Sequence, residues 1–119
     1  MDRIQVMTHQ GRRVVLADCS NCPTDELSKV ADELPSVLSK EEKGSVLLLA
    51  DFSQTHVTRE NMERVKVAAV FNRPYLKRSA WVVNGNMPRA IHDVIQKFST
   101  REIPIFPTRD EALEFLVKD

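Results

Sequence analysis

The sequence lacks long apolar runs and contains little glycine. Only three of its 119 residues are Gly, and no uninterrupted apolar run is longer than the five residues 46–50. A membrane-spanning helix needs about 20 apolar residues, and the first residues offer no apolar stretch long enough for a secretory signal. We therefore expect a cytoplasmic protein without a transmembrane segment. The phosphate-binding patterns GxGxxG and GxxxxGK and the catalytic patterns HExxH and GxSxG are also absent.

The chain has no excess of charge of either sign. Its 17 basic and 17 acidic side chains give a formal net charge of zero, which argues against a protein that coats nucleic acid or anionic membranes. The two cysteines are expected to be thiols in the cytoplasm rather than a disulfide. A chain of this length predicts one domain, residues 1–119.

Apolar periodicity predicts alternating strands and helices. Residues 3–7 and 12–17 read as a hairpin closed by Gln10-Gly11. A helical face with spacings of three and four follows in residues 27–38, and Pro35 inside it predicts a kink or break near Leu34. Residues 46–50 and 79–83 predict buried strands, residues 58–71 a helix, and Asn84-Gly85-Asn86 a turn before a further helix.

The remaining segments complete an α/β pattern. Residues 103–106 predict a short edge strand, because Pro104 cannot donate to a ladder, and Thr108 with Glu111 predicts the capping box of a final helix. Strand–helix alternation from Arg12 onward predicts an α/β fold. We expect a mixed, mostly parallel sheet of about five strands with crossover helices.

Two strand ends carry the same polar sequence. Asp18-Cys19-Ser20 and Asp51-Phe52-Ser53 both follow apolar runs and are offset by 33 residues. One interpretation is that two buried parallel strands simply need similar sequences; the other is that both Asp-x-Ser segments build one site. Because ligands of open parallel sheets bind at the carboxyl ends of strands, that edge is the predicted contact zone. Its candidate residues are Asp18, Cys19, Ser20, Asp51, Ser53, Thr55, Asn84, Gly85 and Thr108.

Cys19 and Cys22 form a CxxC segment between a strand and a helix. A thiolate at a helix N-terminus has a lowered pKa, so this placement allows a thiol redox site of the thioredoxin type. The alternative is that these are small residues at the head of a helix. As a zinc site the segment is half complete, because no second CxxC or paired His follows.

The loop after residue 50 contains Asp51, Ser53, Thr55 and His56, the residue types of a nucleophile triad. Such close spacing along one loop does not aim a His at a Ser, and these side chains more often cap the next helix. The three histidines fall on different elements, so no shared metal is expected. We find no set of acid, base and nucleophile with assignable roles, and we predict a protein that is not an enzyme and needs no cofactor.

Charge is unevenly distributed along the chain. Residues 59–78 contain six basic and two acidic side chains, a net charge of +4, whereas residues 25–43 contain three basic and six acidic ones, a net charge of −3. Both stretches could be solvated surface, or they could form a polarised face for a protein partner or an anionic ligand. Trp81 lies in a predicted buried strand and is interpreted as core.

A family resemblance is carried by five segments: residues 14–20, 47–53, 74–80, 97–101 and 106–116. Taken in order, they resemble the SpoIIAA-like, STAS/Sec14-type domains of bacteria. Residues 14–20 are similar to the opening strand and Asp-x-Ser of that family, and residues 106–116 are similar to the family's ending, with Phe115 in place of Trp. The resemblance covers nearly the whole chain.

The resemblance implies a regulatory or binding domain. STAS domains generally act through protein contacts, sometimes with phosphorylation of a Ser at a helix start, and Ser53 and Thr55 are the candidate positions here. The Sec14 comparison implies a small lipidic or apolar ligand. Our leading hypothesis is a protein or small-ligand contact at the strand-end loops and the basic helix of residues 58–71. The alternatives are the Cys19/Cys22 redox protein and a carrier of a small lipidic or acidic ligand. Base rates alone allow a homodimer.

Overall fold

The computed structural model describes residues 3–83 and 104–118. Its strands are β1 (Ile4–His9), β2 (Arg12–Asp18), β3 (Val46–Asp51), β4 (Leu76–Val82) and β5 (Ile105–Phe106). Its α-helices are α1 (Thr24–Leu38), α2 (Arg59–Asn72) and α3 (Arg109–Val117), and a single 3₁₀ turn, Arg73–Tyr75, joins α2 to β4. The predicted turn at Asn84-Gly85-Asn86 and the helix after it lie outside the described residues.

The five strands form one mixed sheet in the order β1-β2-β3-β4-β5. β1 pairs antiparallel with β2, and the pairs β2–β3, β3–β4 and β4–β5 are parallel. The hairpin turns at Gln10 and Gly11, whose φ angles of 51° and 78° suit the type of turn that matches strand twist. β5 lies at the edge of the sheet, as the position of Pro104 predicts. Three of the four strand pairs are parallel, so the predicted α/β fold with a mixed, mostly parallel sheet is confirmed.

Helix α1 continues through Pro35, and the predicted break near Leu34 is wrong. The helix runs to Leu38, which is fully buried. The carbonyl of Pro35 still accepts from the backbone N–H of Ser39 at 2.9 Å. A proline ring removes one intrahelical bond, and burial of Leu34 and Leu38 on the same face offsets that loss. Between the end of α1 and the start of β3 the chain turns at Gly44, whose φ of +73° lies in the left-handed region that glycine adopts readily.

Two apolar layers cover the two faces of the sheet. On one face α1 and α2 pack on residues that include Val15, Leu48 and Trp81. On the other face α3 packs on Val14, Leu49 and further residues of the central strands. Since successive strand residues point to opposite faces, the unbroken apolar runs of β2 and β3 serve both layers. Trp81 is core, with its ring centroid 5.0 Å from that of Phe52.

Helix α2 is tied to α1 at its first turn. Thr58 caps α2 by accepting from the backbone N–H of Asn61, and the Asn61 side chain accepts in return from the backbone N–H of Thr58. The Asn61 amide also donates to the carbonyl of Thr24 and to Ser28 Oγ, both at 2.8 Å. This buried Asn therefore fixes how the two helices lie side by side.

Candidate functional site

The carboxyl ends of β2 and β3 lie at one edge of the sheet, as the sequence predicts. We call this edge the strand-end rim; it contains Asp18, Ser20, Asp51, Ser53 and Thr55. β2 and β3 run parallel in a register that places Asp18 beside Asp51. The loops that leave them are joined by backbone hydrogen bonds from Cys19 N to the Asp51 carbonyl at 2.8 Å and from Asn21 N to the Ser53 carbonyl at 2.9 Å. The polar ends of both strands therefore share one edge of the sheet.

The two Asp-x-Ser segments fold into the same turn. Asp18 Oδ1 accepts from the backbone N–H and the hydroxyl of Ser20 at 3.0 and 2.5 Å. Asp51 Oδ1 accepts from the same two groups of Ser53 at 2.8 and 2.5 Å. The next residue has a positive φ in both loops, 48° at Asn21 and 55° at Gln54. The repeat in the sequence is therefore a repeated Asx turn.

Arg109 lies between the two aspartates, and sequence reasoning missed it as a site residue. Its Nε is 2.5 Å from Asp51 Oδ2, and its Nη2 is 3.0 Å from Asp18 Oδ1. Arg109 is the first residue of α3. A cation is unfavourable there, because the helix dipole prefers acidic side chains in the first turn. That mismatch was the available signal that the Arg has acidic partners elsewhere.

The environment of Asp18 favours its carboxylate form. Partial burial alone would raise the pKa of Asp18, but hydrogen bonds from Ser20 and the positive charge of Arg109 outweigh it. The pKa of Asp18 consequently lies below its ordinary value. Asp51 is nearly fully buried, and its carboxylate contacts both Ser53 and Arg109. The charges of this rim are therefore largely compensated within the protein.

Thr55 holds the two loops together from inside. It is 1% exposed. Its hydroxyl accepts from the backbone N–H of Cys22 at 3.3 Å and has the carbonyls of Cys19 and Ser53 as acceptors. A kinase would reach this hydroxyl only after the loops separate. Ser53 is partly exposed, but α2 begins at Arg59, so neither candidate phosphorylation residue lies in the first turn of that helix.

The two cysteines are buried free thiols on this side of the sheet. Burial raises the pKa of both Cys19 and Cys22, whereas a redox-active thiolate requires a lowered pKa. The Cys22 thiol lies before the first turn of α1, as predicted, but the apolar packing of the site opposes ionisation. The CxxC segment acts here as small core residues.

The fold brings five of the predicted site residues together, and two others lie outside the described part of the chain. Asp18, Ser20, Asp51, Ser53 and Thr55 meet at the rim. Asn84 and Gly85 lie outside the described residues. Thr108 caps α3 through the backbone N–H of Glu111 at 3.3 Å, which places the hydroxyl in a capping contact. The acidic stretch 25–43 and the basic stretch 59–78 partly neutralise each other, because Arg64 of α2 forms an ion pair at 2.5 Å with Asp32 of α1.

A cavity of about 70 Å³ lies between the sheet and the helices α1 and α2. Most of its wall is apolar, and the polar groups that line it belong to Cys19, Asn72 and Ser79. One ordered water needs about 10–15 Å³, and a cavity of about 150 Å³ in another protein binds benzene. The space therefore accommodates an organic molecule of a few heavy atoms. The apolar lining residues are Ala17, Leu27, Val30, Ala31, Leu34, Leu48, Ala50, Phe52, Val65, Ala68, Ala69, Leu76 and Trp81.

Asn72 is the unusual residue of this cavity. It ends α2, it is 3% exposed, and its side-chain Oδ1 is buried with no hydrogen-bond donor among residues 3–83 and 104–118. Buried polar atoms are nearly always paired, and an unpaired one costs about 1–3 kcal/mol. Asn72 directly follows the helix predicted for residues 58–71, and sequence reasoning did not single it out. No pattern along the chain shows that its amide would be buried.

Comparisons of the chain with protein-family models, with curated proteins and with solved structures found no match. In the described part of the chain, no helix is long and apolar enough to cross a membrane. Within those same residues, no group of three or more His, Cys, Asp and Glu side chains is placed to bind a metal ion.

Proposed function

We propose that this protein is a non-enzymatic binding domain of the SpoIIAA-like, STAS/Sec14 type that carries a small, mainly apolar ligand between α1, α2 and the sheet. The observation that carries the proposal is the buried Asn72 Oδ1 without a donor on the wall of an apolar cavity. A ligand with an apolar body and one hydrogen-bond donor would satisfy that oxygen and fill the space. Ligand pockets commonly combine apolar walls with a few polar groups in this way.

The strand-end rim supports a contact role less well than the cavity does. Its carboxylates already have Ser20, Ser53 and Arg109 as partners, so a ligand would have to replace existing bonds. We therefore assign the rim a structural role, since it joins β2 and β3 to α3. The redox alternative is disfavoured by the raised pKa values of the two thiols.

The size of the cavity limits the ligand. At about 70 Å³ it is roughly half the volume that accepts benzene in another protein, so a four-atom compound is a suitable probe. The alcohol 2-propanol and the ketone acetone have the same number of heavy atoms and nearly the same shape. Only the alcohol donates a hydrogen bond. A preference for 2-propanol therefore reports a donor paired with a protein acceptor.

The test begins with native mass spectrometry of freshly purified protein, in which a retained small molecule appears as excess mass. Titrations with 2-propanol and acetone follow, monitored by backbone amide chemical shifts. We expect 2-propanol to shift resonances of residues around the cavity with a dissociation constant on the order of millimolar. Acetone should bind more weakly.

Two variants locate the binding. Asn72→Leu should remove the preference for the alcohol while leaving apolar space. Ala50→Val places two further methyl groups in the cavity and should abolish the response to both compounds. Val6→Ser, on the exposed part of β1, serves as a matched control that should bind like the parent protein. If no mass excess is found and neither compound shifts the cavity resonances, the carrier function is rejected.

A further inference from the structure

The cavity under α1 and α2 and a groove on their outer side share part of one wall. Ala31 of α1 and Ala68 of α2 line the cavity, and the same two residues line the groove, which has a volume of about 240 Å³. Both residues are buried. An alanine side chain is a single methyl group, so the helices are separated from the groove there by very small side chains. We call this contact between Ala31 and Ala68 the helix seam.

Helix α1 lacks one of its regular hydrogen bonds at the helix seam. In an α-helix the carbonyl of residue 31 accepts from the backbone N–H of residue 35. Residue 35 is Pro35, which has no N–H and whose ring crowds that carbonyl. Pro35 lines the outer groove rather than the cavity. The part of α1 that contains Ala31 is therefore easier to deform than the rest of the helix.

Helix α2 is held at its two ends and more weakly between them. At its first turn the Asn61 amide donates to Thr24 and Ser28 of α1. Beyond its last turn the carbonyl of Pro74 accepts from the backbone N–H of Gly44 at 2.9 Å. Only three of the 14 residues of α2 are buried. Segments with little buried surface open at a lower free energy than the whole fold, so the middle of α2 can move while its ends stay in place.

One ion pair crosses the outer side of the helix seam. Arg64 of α2 contacts Asp32 of α1 at 2.5 Å, and both side chains are about half exposed. Both residues also line the groove. An exposed pair stabilises a fold only slightly, but this one is broken whenever the two helices separate beside it. The pair therefore favours the closed seam by a small amount that added salt reduces.

We propose that small apolar molecules enter and leave the cavity through the helix seam, which opens when the middle of α2 moves away from α1. For the natural ligand the inference rests on the carrier function proposed above, whereas the opening itself is a property of the chain. The groove outside the seam suits such molecules, because Pro35, Val67 and Phe71 contribute apolar side chains to its wall. The crossing ion pair stabilises the closed state, and the hydrogen bond missing at Pro35 lowers the cost of opening.

The fluorescence of Trp81 reports entry into the cavity. Trp81 is the only Trp of the chain, it is 5% exposed, and it lines the cavity. The experiment measures the quenching of this fluorescence by acrylamide, a small neutral molecule that quenches on contact. We expect measurable quenching of the folded protein. The alcohol 2-propanol competes for the same space and should reduce the quenching.

Three variants locate the route, each checked for an intact fold by circular dichroism. Asp32→Ala removes the crossing ion pair and should raise the bimolecular quenching constant about two- to fivefold, the change in open population expected for loss of an exposed pair. Added salt should raise the quenching of the parent protein more than that of Asp32→Ala. Pro35→Ala supplies the missing N–H to α1 and should lower quenching about twofold or more. Glu26→Ala is the matched control, because it removes the ion pair between Arg3 and the first turn of α1 and should leave quenching unchanged.

The outcomes separate the route from the carrier function. Opposite shifts in Asp32→Ala and Pro35→Ala, with no shift in the control, establish the seam as the route. The route is overturned if the folded parent protein is not quenched or if neither seam variant changes the quenching. It is also overturned if Glu26→Ala acts as strongly as Asp32→Ala, as global unfolding would produce. Where the seam variants act as expected but 2-propanol neither competes nor shifts the cavity resonances, the route stands and only the carrier function is rejected.

Discussion

Replacing Asn72 with Leu is expected to stabilise the ligand-free protein. The two side chains are similar in size, and the change removes a buried Oδ1 that has no donor in the described structure. An unsatisfied buried acceptor costs about 1–3 kcal/mol, and that cost disappears with the amide. Substitution of a buried polar residue usually destabilises a protein, so an increase is a specific signature of an unpaired atom.

The size of the effect follows from the length of the chain. Unfolding entropy of about 2.1 cal/mol/K per residue gives about 0.25 kcal/mol/K for 119 residues. A gain of about 1–3 kcal/mol then corresponds to a rise in Tm of about 4–12 °C. Urea unfolding followed by the fluorescence of Trp81, which packs against Phe52, measures the free energy of unfolding directly. Refolding from denaturant before the measurement removes any retained molecule.

Asn61 provides a matched control on the same helix. It is as buried as Asn72, but its side chain caps α2 and donates two hydrogen bonds to α1. Asn61→Leu should therefore lower the free energy of unfolding by about 2–4 kcal/mol. If Asn72→Leu destabilises the refolded protein as Asn61→Leu does, Asn72 Oδ1 is satisfied in solution and the cavity loses its polar anchor.

Three further predictions concern the rim and the thiols. Arg109→Met leaves the buried Asp51 without its cation and should cost about 2–3 kcal/mol in urea unfolding at neutral pH, less than a fully buried pair because Arg109 is partly exposed; an unchanged midpoint would show that the pair contributes nothing. The pKa of Asp18 is lower in the folded than in the unfolded state, so ionised Asp18 adds to the free energy of unfolding above about pH 4, and this gain is lost as pH falls through the folded pKa. The free energy of unfolding of the parent protein should therefore fall more steeply with acid than that of Asp18→Asn. Parallel plots of the free energy of unfolding against pH for the two proteins would contradict this. Because burial raises the pKa of Cys19 and Cys22, iodoacetamide should label neither in the folded protein at pH 8 and both in urea; rapid labelling of the native thiols would revive the redox hypothesis.

The backbone features were predictable because each depends on a short segment of chain. The apolar run of β3, the Gln10-Gly11 turn and the edge position after Pro104 are local signals, and parallel pairing then brings Asp18 and Asp51 together. Helix α1 shows the limit of such signals. Pro35 weakens the helix locally, but Leu34 and Leu38 are buried against the sheet, and that packing cannot be judged from α1 alone.

The side-chain contacts of the site were not predictable, because they join distant parts of the chain. Arg109 reaches Asp51 across 58 positions, and only the packing of α3 against the sheet edge brings them together. Asn72 is polar and stands before Arg73-Pro74, which suggests an exposed helix end. In the structure it is 3% exposed and lines the cavity between the sheet and helices α1 and α2, so its burial is a property of the assembled layers.

The position of Arg109 also bears on how the chain folds as it is synthesised. Asp18 and Asp51 leave the ribosome long before Arg109, so the paired strands β2 and β3 first hold two neighbouring carboxylates without a nearby cation from α3. Like charges at adjacent positions of a sheet oppose its formation. The nascent sheet should therefore stay incomplete until the segment of α3 has emerged, which makes the acquisition of structure a late, concerted event in translation.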